Sequence, residues 1–408
     1  MNILMISHYA GGKDYGMEYR TYYLSREWVK KGHNVTVVAA TYSHLRLKNP
    51  TLKEDFSEEM IDGIRYIWLK TPEYGGALAR IWNMVSFVRK LNKYKDRLIS
   101  ESKPELVIAT SVYLLDIYPA RKIAQKTGAK LCYEQHDIWP LSPKIIGGYS
   151  KGHPFIMVLQ KAEDDTYKFV DKVVSLLWNA EEHCKERGLQ PGKFVCIPNG
   201  YNPDEWSKNK LNLRLPDEHQ NAFEKLNGKL IIGFAGGFAA SGSVDTLIKA
   251  AIKLKEREDI HVVLVGKGPE KSLYEKIISD NKLENVSILP SVSKNLVPSV
   301  ISHFDITPIC GVHSPLHKYG TSPNKLTDCM LSSKPIIYAV DEPGCIVERE
   351  KCGIRVEAEN VEELYNAIIE LADMAPEDRM AMGLRGKKYA ETLKWADLAE
   401  KFINVFKD

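Results

Sequence analysis

The chain has 408 residues, 44% hydrophobic and 27% charged, with a formal net charge of +3. This composition fits a soluble globular enzyme with no nucleic-acid partner, and the length exceeds one ordinary core, so two domains of about 200 residues are expected. No run of about 18 apolar residues occurs, and the start, MNILMISHYAGG, lacks a signal peptide's basic and apolar regions, so the expected location is the cytoplasm.

Seven cysteines occur without a CxxC pair, which fits reduced thiols and no zinc site. Residues 1–200 carry 29 Lys and Arg against 22 Asp and Glu, which leaves the remainder acidic. A basic first half suits an anionic membrane or a phosphate-bearing acceptor, or is ordinary surface variation.

Asn2 to Ser7 reads as a short buried strand, followed by a glycine-containing loop from Ala10 to Gly16. A helix follows with Tyr19, Tyr22, Leu24, Trp28 and Val29 as inner positions, ending at Lys31 and Gly32. Asn34 to Ala40 is the next buried strand. Together these make a βαβ unit whose loop lies at the carboxyl edge of a sheet, where ligands bind. Gly11, Gly12 and Gly16 would let backbone approach a phosphate there, although their spacing is not the GxGxxG of a dinucleotide site.

Over residues 78–98, Leu78, Ile81, Trp82, Val85, Val88, Leu91 and Leu98 recur at helical spacing, with Arg80, Arg89, Lys90, Lys93, Lys95 and Arg97 supplying charge. Two readings stand: a helix lying in the inner leaflet near a lipid-linked substrate, or a domain helix packed on the sheet with a solvated basic face. The second is the simpler.

Leu106 to Thr110 and Lys130 to Tyr133 read as further parallel strands around a helix, Ile117 to Thr127. The second strand runs into EQHDIWP, so His136 and Asp137 fall just past its carboxyl end, where an α/β fold displays polar side chains. His136 is the candidate catalytic residue, and Asp137 either orients it or caps a helix. Residues 154–170 read as a helix with Glu163, Asp164 and Asp165 on a solvated face. Val173 to Leu177 and Phe194 to Pro198 complete the first sheet, and the polar stretch 203–228 joins the domains.

The pattern then restarts. Leu230 to Ala235 is a strand, Gly236 and Gly237 a glycine turn, Val244 to Lys255 a helix and His261 to Gly266 a strand. Lys267, in the tight turn from Gly266 to Glu270, either reaches a phosphate or is simply exposed. Val286 to Leu289 is the next strand, and the apolar runs Phe304 to Ile309 and Pro335 to Val340 bracket KYGTSPNKLTDCM, Lys318 to Met330. In that stretch Ser322 and Pro323 supply a helix start, which puts Asn324 and Lys325 in a first turn whose free N–H groups suit a phosphate. Asp328 lies three residues beyond Lys325, on the same helix face. A phosphate cradle beside a hydroxyl-binding carboxylate suggests a nucleotide sugar. Ala390 to Phe406 is amphipathic through Trp395, Leu398, Phe402 and Val405.

In GMEYRTYYLSREWVKKGHNVTVV, HDIWP, IPNGYNPDEW, VGKGPE and YGTSPNKLTDCM, the chain resembles the GT4 glycosyltransferases of GT-B fold, in particular the subgroup similar to bacterial O-antigen and capsule sugar transferases. The resemblance covers nearly the whole chain, and YGTSPNKLTDCM is its most specific part. It implies an α/β architecture of two Rossmann-like, doubly wound domains facing a cleft. Residues 1–205 would bind the acceptor and 206–389 the nucleotide sugar, with a helix in 390–408 crossing back onto the first domain. It also implies a retaining transfer without metal or other cofactor. The donor would be a UDP-sugar and the acceptor a saccharide, carried on a polyprenyl diphosphate at the inner face of the plasma membrane.

Residue by residue, Asp328 matches the second acid of the family's Glu-x7-Glu motif, which binds the ribose hydroxyls. The first acid falls at Gly320 and is missing; the turn running from Tyr319 through Ser322, Pro323 and Asn324 takes its place. The basic pair that often follows the second domain's first strand is also missing from GGFAASGSVDT, so Lys267 and Lys325, helped by Arg20, would neutralise the diphosphate. The expected chemistry is front-face substitution, in which the departing phosphate takes the acceptor's proton and His136 lines the donor sugar. Two rivals share the architecture: a nucleotide-sugar 2-epimerase, and a non-catalytic partner that only binds nucleotide sugar.

Overall fold

Short aliphatic runs buried on both faces set the architecture, because such strands pair in parallel and must be covered by helices on either side. The computed structural model describes residues 1–52 and 54–407. The chain divides into two units, Met1–Pro198 together with the segment from Trp395 onward, and Asn199–Lys394.

The first unit is built on eight strands: β1 (Asn2–Ile6), β2 (Asn34–Ala40), β3 (Ser57–Ile61), β4 (Ile64–Leu69), β5 (Leu106–Ala109), β6 (Lys130–Gln135), β7 (Lys172–Ser175) and β8 (Phe194–Cys196). Their order is β3-β4-β2-β1-β5-β6-β7-β8, with neighbours parallel except in the β3–β4 hairpin. That hairpin is an addition to the sequence reading. Its turn residues Asp62 and Gly63 both have positive φ, 49° and 79°, as the two-residue turn favoured by Asp-Gly requires.

The helix Arg20–Lys30 buries Tyr22, Leu24 and Trp28. Tyr19, expected among its inner positions, is 51% exposed, because it precedes the helix on extended backbone. The C-terminal helix Trp395–Asn404 packs on this helix. Trp28 Nε1 donates to the Ala399 carbonyl at 2.9 Å, the Trp395 ring stacks on Tyr23 at 5.4 Å, and Phe402 lies edge-on to Trp28 at 5.2 Å.

Residues 78–98 lie in a helix, Ala77–Ser102, that buries Met84, Phe87, Leu91 and Leu98. Much of its basic charge is engaged within the unit: Lys90 pairs with Asp55 at 2.8 Å and Arg97 with Glu101 at 2.7 Å. The body of the helix is therefore a packed domain element, whereas Leu78 and Trp82 near its start are exposed. Among the described residues no helix is long and apolar enough to cross a membrane. Glu163, expected on a solvated face, is buried, because His183 on the next helix brings Nε2 to 2.7 Å from its Oε1.

The second unit holds two three-stranded parallel sheets. The first has β9 (Leu230–Gly237), β10 (Ile260–Lys267) and β11 (Val286–Leu289), and the second β12 (Thr307–Cys310), β13 (Ile336–Ala339) and β14 (Gly353–Val356). They meet at a bridge between Ile232 and Ile306. Gly233 makes that approach feasible, since a Cβ there would lie 1.9 Å from a Phe304 ring carbon. The unit starts at 199 rather than 206 and runs to 394 rather than 389. Backbone bonding explains the shift: Tyr201 N donates to the Leu393 carbonyl at 3.0 Å, and Tyr201 bridges to Lys394.

Removing the fully buried Phe402 ring by Phe402→Ala should cost about 3–5 kcal/mol, read as a lowered midpoint in denaturant titration of the intact chain. A loss under about 1 kcal/mol would mean that the C-terminal helix is not part of the first unit's core.

Candidate active site

In the second unit, β9 ends in Gly236 and Gly237, and the helix Asn324–Leu331 begins beside it. Lys325 lies in that helix's first turn, and a Cβ on Gly236 would sit 2.5 Å from its Nζ. The ammonium lies over the Phe234 ring, 3.8 Å from the centroid, and forms no ion pair among the described residues. Burial pulls its pKa below the ordinary lysine value, and the opposing pull of Cys329, Cys310 and Asp328 does not reverse that. The two residues picked from separate stretches of sequence thus form one feature, a desolvated cation facing a glycine turn. Pro323 occupies the cap position and no side chain caps the helix, so first-turn N–H groups remain available to an anion.

Ser322 has a different task from helix capping. Its Oγ accepts from Asn199 N at 2.8 Å and its carbonyl accepts from Asn199 Nδ2 at 2.7 Å. Asp328 accepts from Trp206 Nε1 at 3.1 Å through Oδ1. Burial pushes this carboxyl up to about 7, against the lowering effect of the Trp206 bond. Tyr319 sits in a single helical turn whose final residue, Gly320, has φ 95°. A glutamate at 320 would be strained on that backbone.

The loop is anchored by a residue the sequence reading passed over. Buried Glu342 accepts from Thr321 N at 3.1 Å, from Thr321 Oγ1 at 2.6 Å and from Tyr338 OH at 2.7 Å. Lys267 is exposed at the end of β10, in register with Gly237. The neighbouring glycines serve close packing: a Cβ on Gly268 would lie 2.2 Å from the Phe238 carbonyl oxygen.

In the first unit, β6 runs two residues beyond the expected Tyr133, so Glu134 belongs to the strand and His136 follows its end. Glu134 is fully buried; Arg20 Nε donates to its Oε1 at 2.7 Å, and His136 Nε2 lies 3.0 Å from its Oε2. Burial alone would raise the Glu134 pKa, but Arg20 and then His136 outweigh it and hold the carboxylate down at about 2. Arg20, expected to help a diphosphate, is thus already neutralised, and it also donates through Nη1 to the Pro198 carbonyl at 2.8 Å.

Asp137 turns away from His136. Its Oδ1 accepts from Ile138 N at 2.7 Å and Ser142 Oγ at 2.6 Å, and its Oδ2 from Trp139 Nε1 at 3.1 Å. It shapes the turn into the short helix Leu141–Ile145, and Glu134 is the carboxylate beside the imidazole. Gly12 and Gly16 have packing reasons of their own: a Cβ would meet Ile61 at 2.9 Å and Leu47 at 2.6 Å.

A family profile described as Glycosyltransferase Family 4 matches residues 15–205, and one described as Glycosyl transferases group 1 matches residues 229–374. The chain is a GT4 glycosyltransferase of GT-B fold. Sucrose-phosphate synthase from Thermosynechococcus elongatus is similar in structure, with TM-score 0.71 and 16% identity over 99% of this chain and 98% of that one. HepE from Anabaena, solved with UDP and glucose, aligns with TM-score 0.65 and 14% identity over 100% of both chains. A trehalose-6-phosphate enzyme from E. coli, bound with UDP-2-fluoro glucose, aligns with TM-score 0.70 and 11% identity over 100% of this chain and 99% of that one. At such identities the likeness shows the fold. No curated protein matches the glycosyltransferase sequence.

Glu134→Gln should destabilise this glycosyltransferase by about 3–5 kcal/mol near neutral pH, because it leaves the Arg20 guanidinium buried without a counter-charge. The Glu134 pKa is depressed from 4.5 to about 2, so its contribution is full above pH 4.5 and lost as pH falls through about 2. Denaturant midpoints measured across that window should show the wild-type advantage shrinking with acid; a constant difference would contradict the ion pair.

Proposed function

We propose that the enzyme transfers a sugar from a UDP-sugar, with retention, to a saccharide acceptor carried on a lipid diphosphate. The work would take place at the inner face of the plasma membrane, in building a bacterial surface polysaccharide such as O-antigen or capsule. The observation that carries the donor half is the unpaired Lys325 ammonium against Gly236, at an uncapped helix start. A departing diphosphate needs positive charge as the bond breaks, and Lys325 with the helix N–H groups supplies it without calling on a metal. UDP is favoured because HepE and the E. coli enzyme of the same fold were solved with UDP or a UDP-sugar. The surface-polysaccharide and lipid-linked parts rest on the likeness of HDIWP, IPNGYNPDEW and YGTSPNKLTDCM to that subgroup.

Each site residue then has a role. Asp328, placed by Trp206, accepts from a ribose hydroxyl through Oδ2, and Lys325 takes the diphosphate. Lys267 is an outer phosphate contact at the end of β10. His136, held beside Glu134, hydrogen-bonds the donor sugar or the charge developing on it, and the departing phosphate accepts the proton of the attacking hydroxyl.

A thermal-shift panel of UDP-, GDP- and dTDP-sugars tests this reading. A donor at 100 times its Kd should stabilise the protein by about 2.7 kcal/mol, and UDP-sugars should stand apart. An equal or larger shift with GDP- or dTDP-sugars would overturn the choice of UDP, and no shift with any would overturn nucleotide-sugar binding.

A further inference from the structure

A cavity of about 420 Å³ opens in the first unit against the start of the helix Ala77–Ser102, the helix Leu141–Ile145 and the helix Pro154–Phe169. Its walls include Tyr74, Ile81, Met84, Trp139 and Phe155. Tyr74 and Trp139 come from the loops that leave the carboxyl ends of β4 and β6, the sheet edge at which α/β folds bind ligands.

Arg80 supplies the one full charge among the lining residues. It forms no ion pair among the described residues, and its Nε is buried without a hydrogen-bond partner. No carboxylate lines the cavity. His44, which also lines it, is held below its ordinary pKa by burial and then by Arg80, so Arg80 is the cation there at neutral pH. A guanidinium set among aromatic walls without a counter-ion has lost hydration that an anion would replace. The uncapped helix start at Gly76 and Ala77 faces the same space and adds to that preference. The volume and the apolar walls exceed what an inorganic anion needs, so the ligand carries an apolar part as well.

We propose that this cavity binds the phosphorylated end of a single-chain lipid, with a phosphate on Arg80 and the first part of the hydrocarbon chain against Ile81, Met84, Trp139 and Phe155. Leu78 and Trp82, on the same helix as Arg80, and Ile146, at the end of Leu141–Ile145, are 84%, 54% and 75% exposed. They leave exposed apolar surface on the elements that border the cavity. Trp139 also links the cavity to the chemistry, since its Nε1 holds Asp137, the residue after His136. The inference rests on the reading of the acceptor as lipid-linked, and adds where on this chain the lipid phosphate is held.

The test is calorimetric titration of the whole protein with farnesyl diphosphate, farnesol and inorganic diphosphate, with UDP saturating so that the donor subsite is filled. Farnesyl diphosphate should bind at least about tenfold more tightly than either fragment, and Arg80→Gln should remove about tenfold or more of that affinity while leaving farnesol unchanged. Ile81→Trp, which fills the cavity, should weaken both farnesyl ligands, and neither variant should alter UDP binding. Equal binding of inorganic diphosphate would make this an anion site only, and equal binding of farnesol, or indifference to Arg80→Gln, an apolar pocket only. Binding to anionic phospholipid vesicles without binding of monomeric farnesyl diphosphate would make it a membrane-contact surface. Each of these results, or no binding at all, overturns the proposal. Loss of UDP binding by the wild-type protein would instead strike the donor reading, so the two failures can be told apart.

Discussion

A lysine ammonium taken partly out of water and given no ion pair among the described residues is the constraint on which the second unit's site depends. Lys325 loses hydration against the Phe234 ring. A cation–π contact returns about 0.5–2 kcal/mol, well short of the several kcal/mol that desolvating an ion costs. Gly236 leaves the space that any larger residue would take from Nζ. The surrounding bonds keep the turn open: Asn199 holds Ser322, Trp206 holds Asp328, and Glu342 holds Thr321. An anion placed between the glycine turn and the helix start would complete the arrangement.

The first unit treats its buried cation in the opposite way. Arg20 has a carboxylate at 2.7 Å and a backbone carbonyl at 2.8 Å, so its charge is balanced in the protein itself. The same carboxylate, Glu134, lies beside His136. One unit keeps a buried cation without an ion pair, and the other pairs its buried cation with a carboxylate.

Periodicity and glycine placement made the two βαβ patterns, the packed helix over residues 78–98 and the helix start at Asn324 legible in the sequence. The β3–β4 hairpin was not read from the sequence: Asp62 and Gly63 mark its turn, but its flanking strand Ser57–Ile61 is polar and hides its alternation. Ending β6 at Tyr133 hid Glu134, because only a strand that continues to Gln135 puts Glu134 inside it, two residues before His136. Other features are tertiary and have no local signature. Trp206 meets Asp328 across a separation of 122 residues, and Asn199 meets Ser322 across 123. The family motif located Gly320 as a missing acid, and the φ of 95° there, which a glutamate would adopt only under strain, was not legible in the sequence.

Under the proposed function, Lys325 is kept without an ion pair so that it can hold a diphosphate. The direct measurement is a calorimetric comparison of UDP with uridine on the wild-type protein and on Lys325→Met, a variant that keeps the chain's length and apolar stem. If the claim is right, the variant loses about 1.5–3 kcal/mol of UDP affinity, roughly ten- to a hundredfold, and binds uridine as the wild type does. Equal losses for both ligands, or unchanged UDP binding, would contradict it.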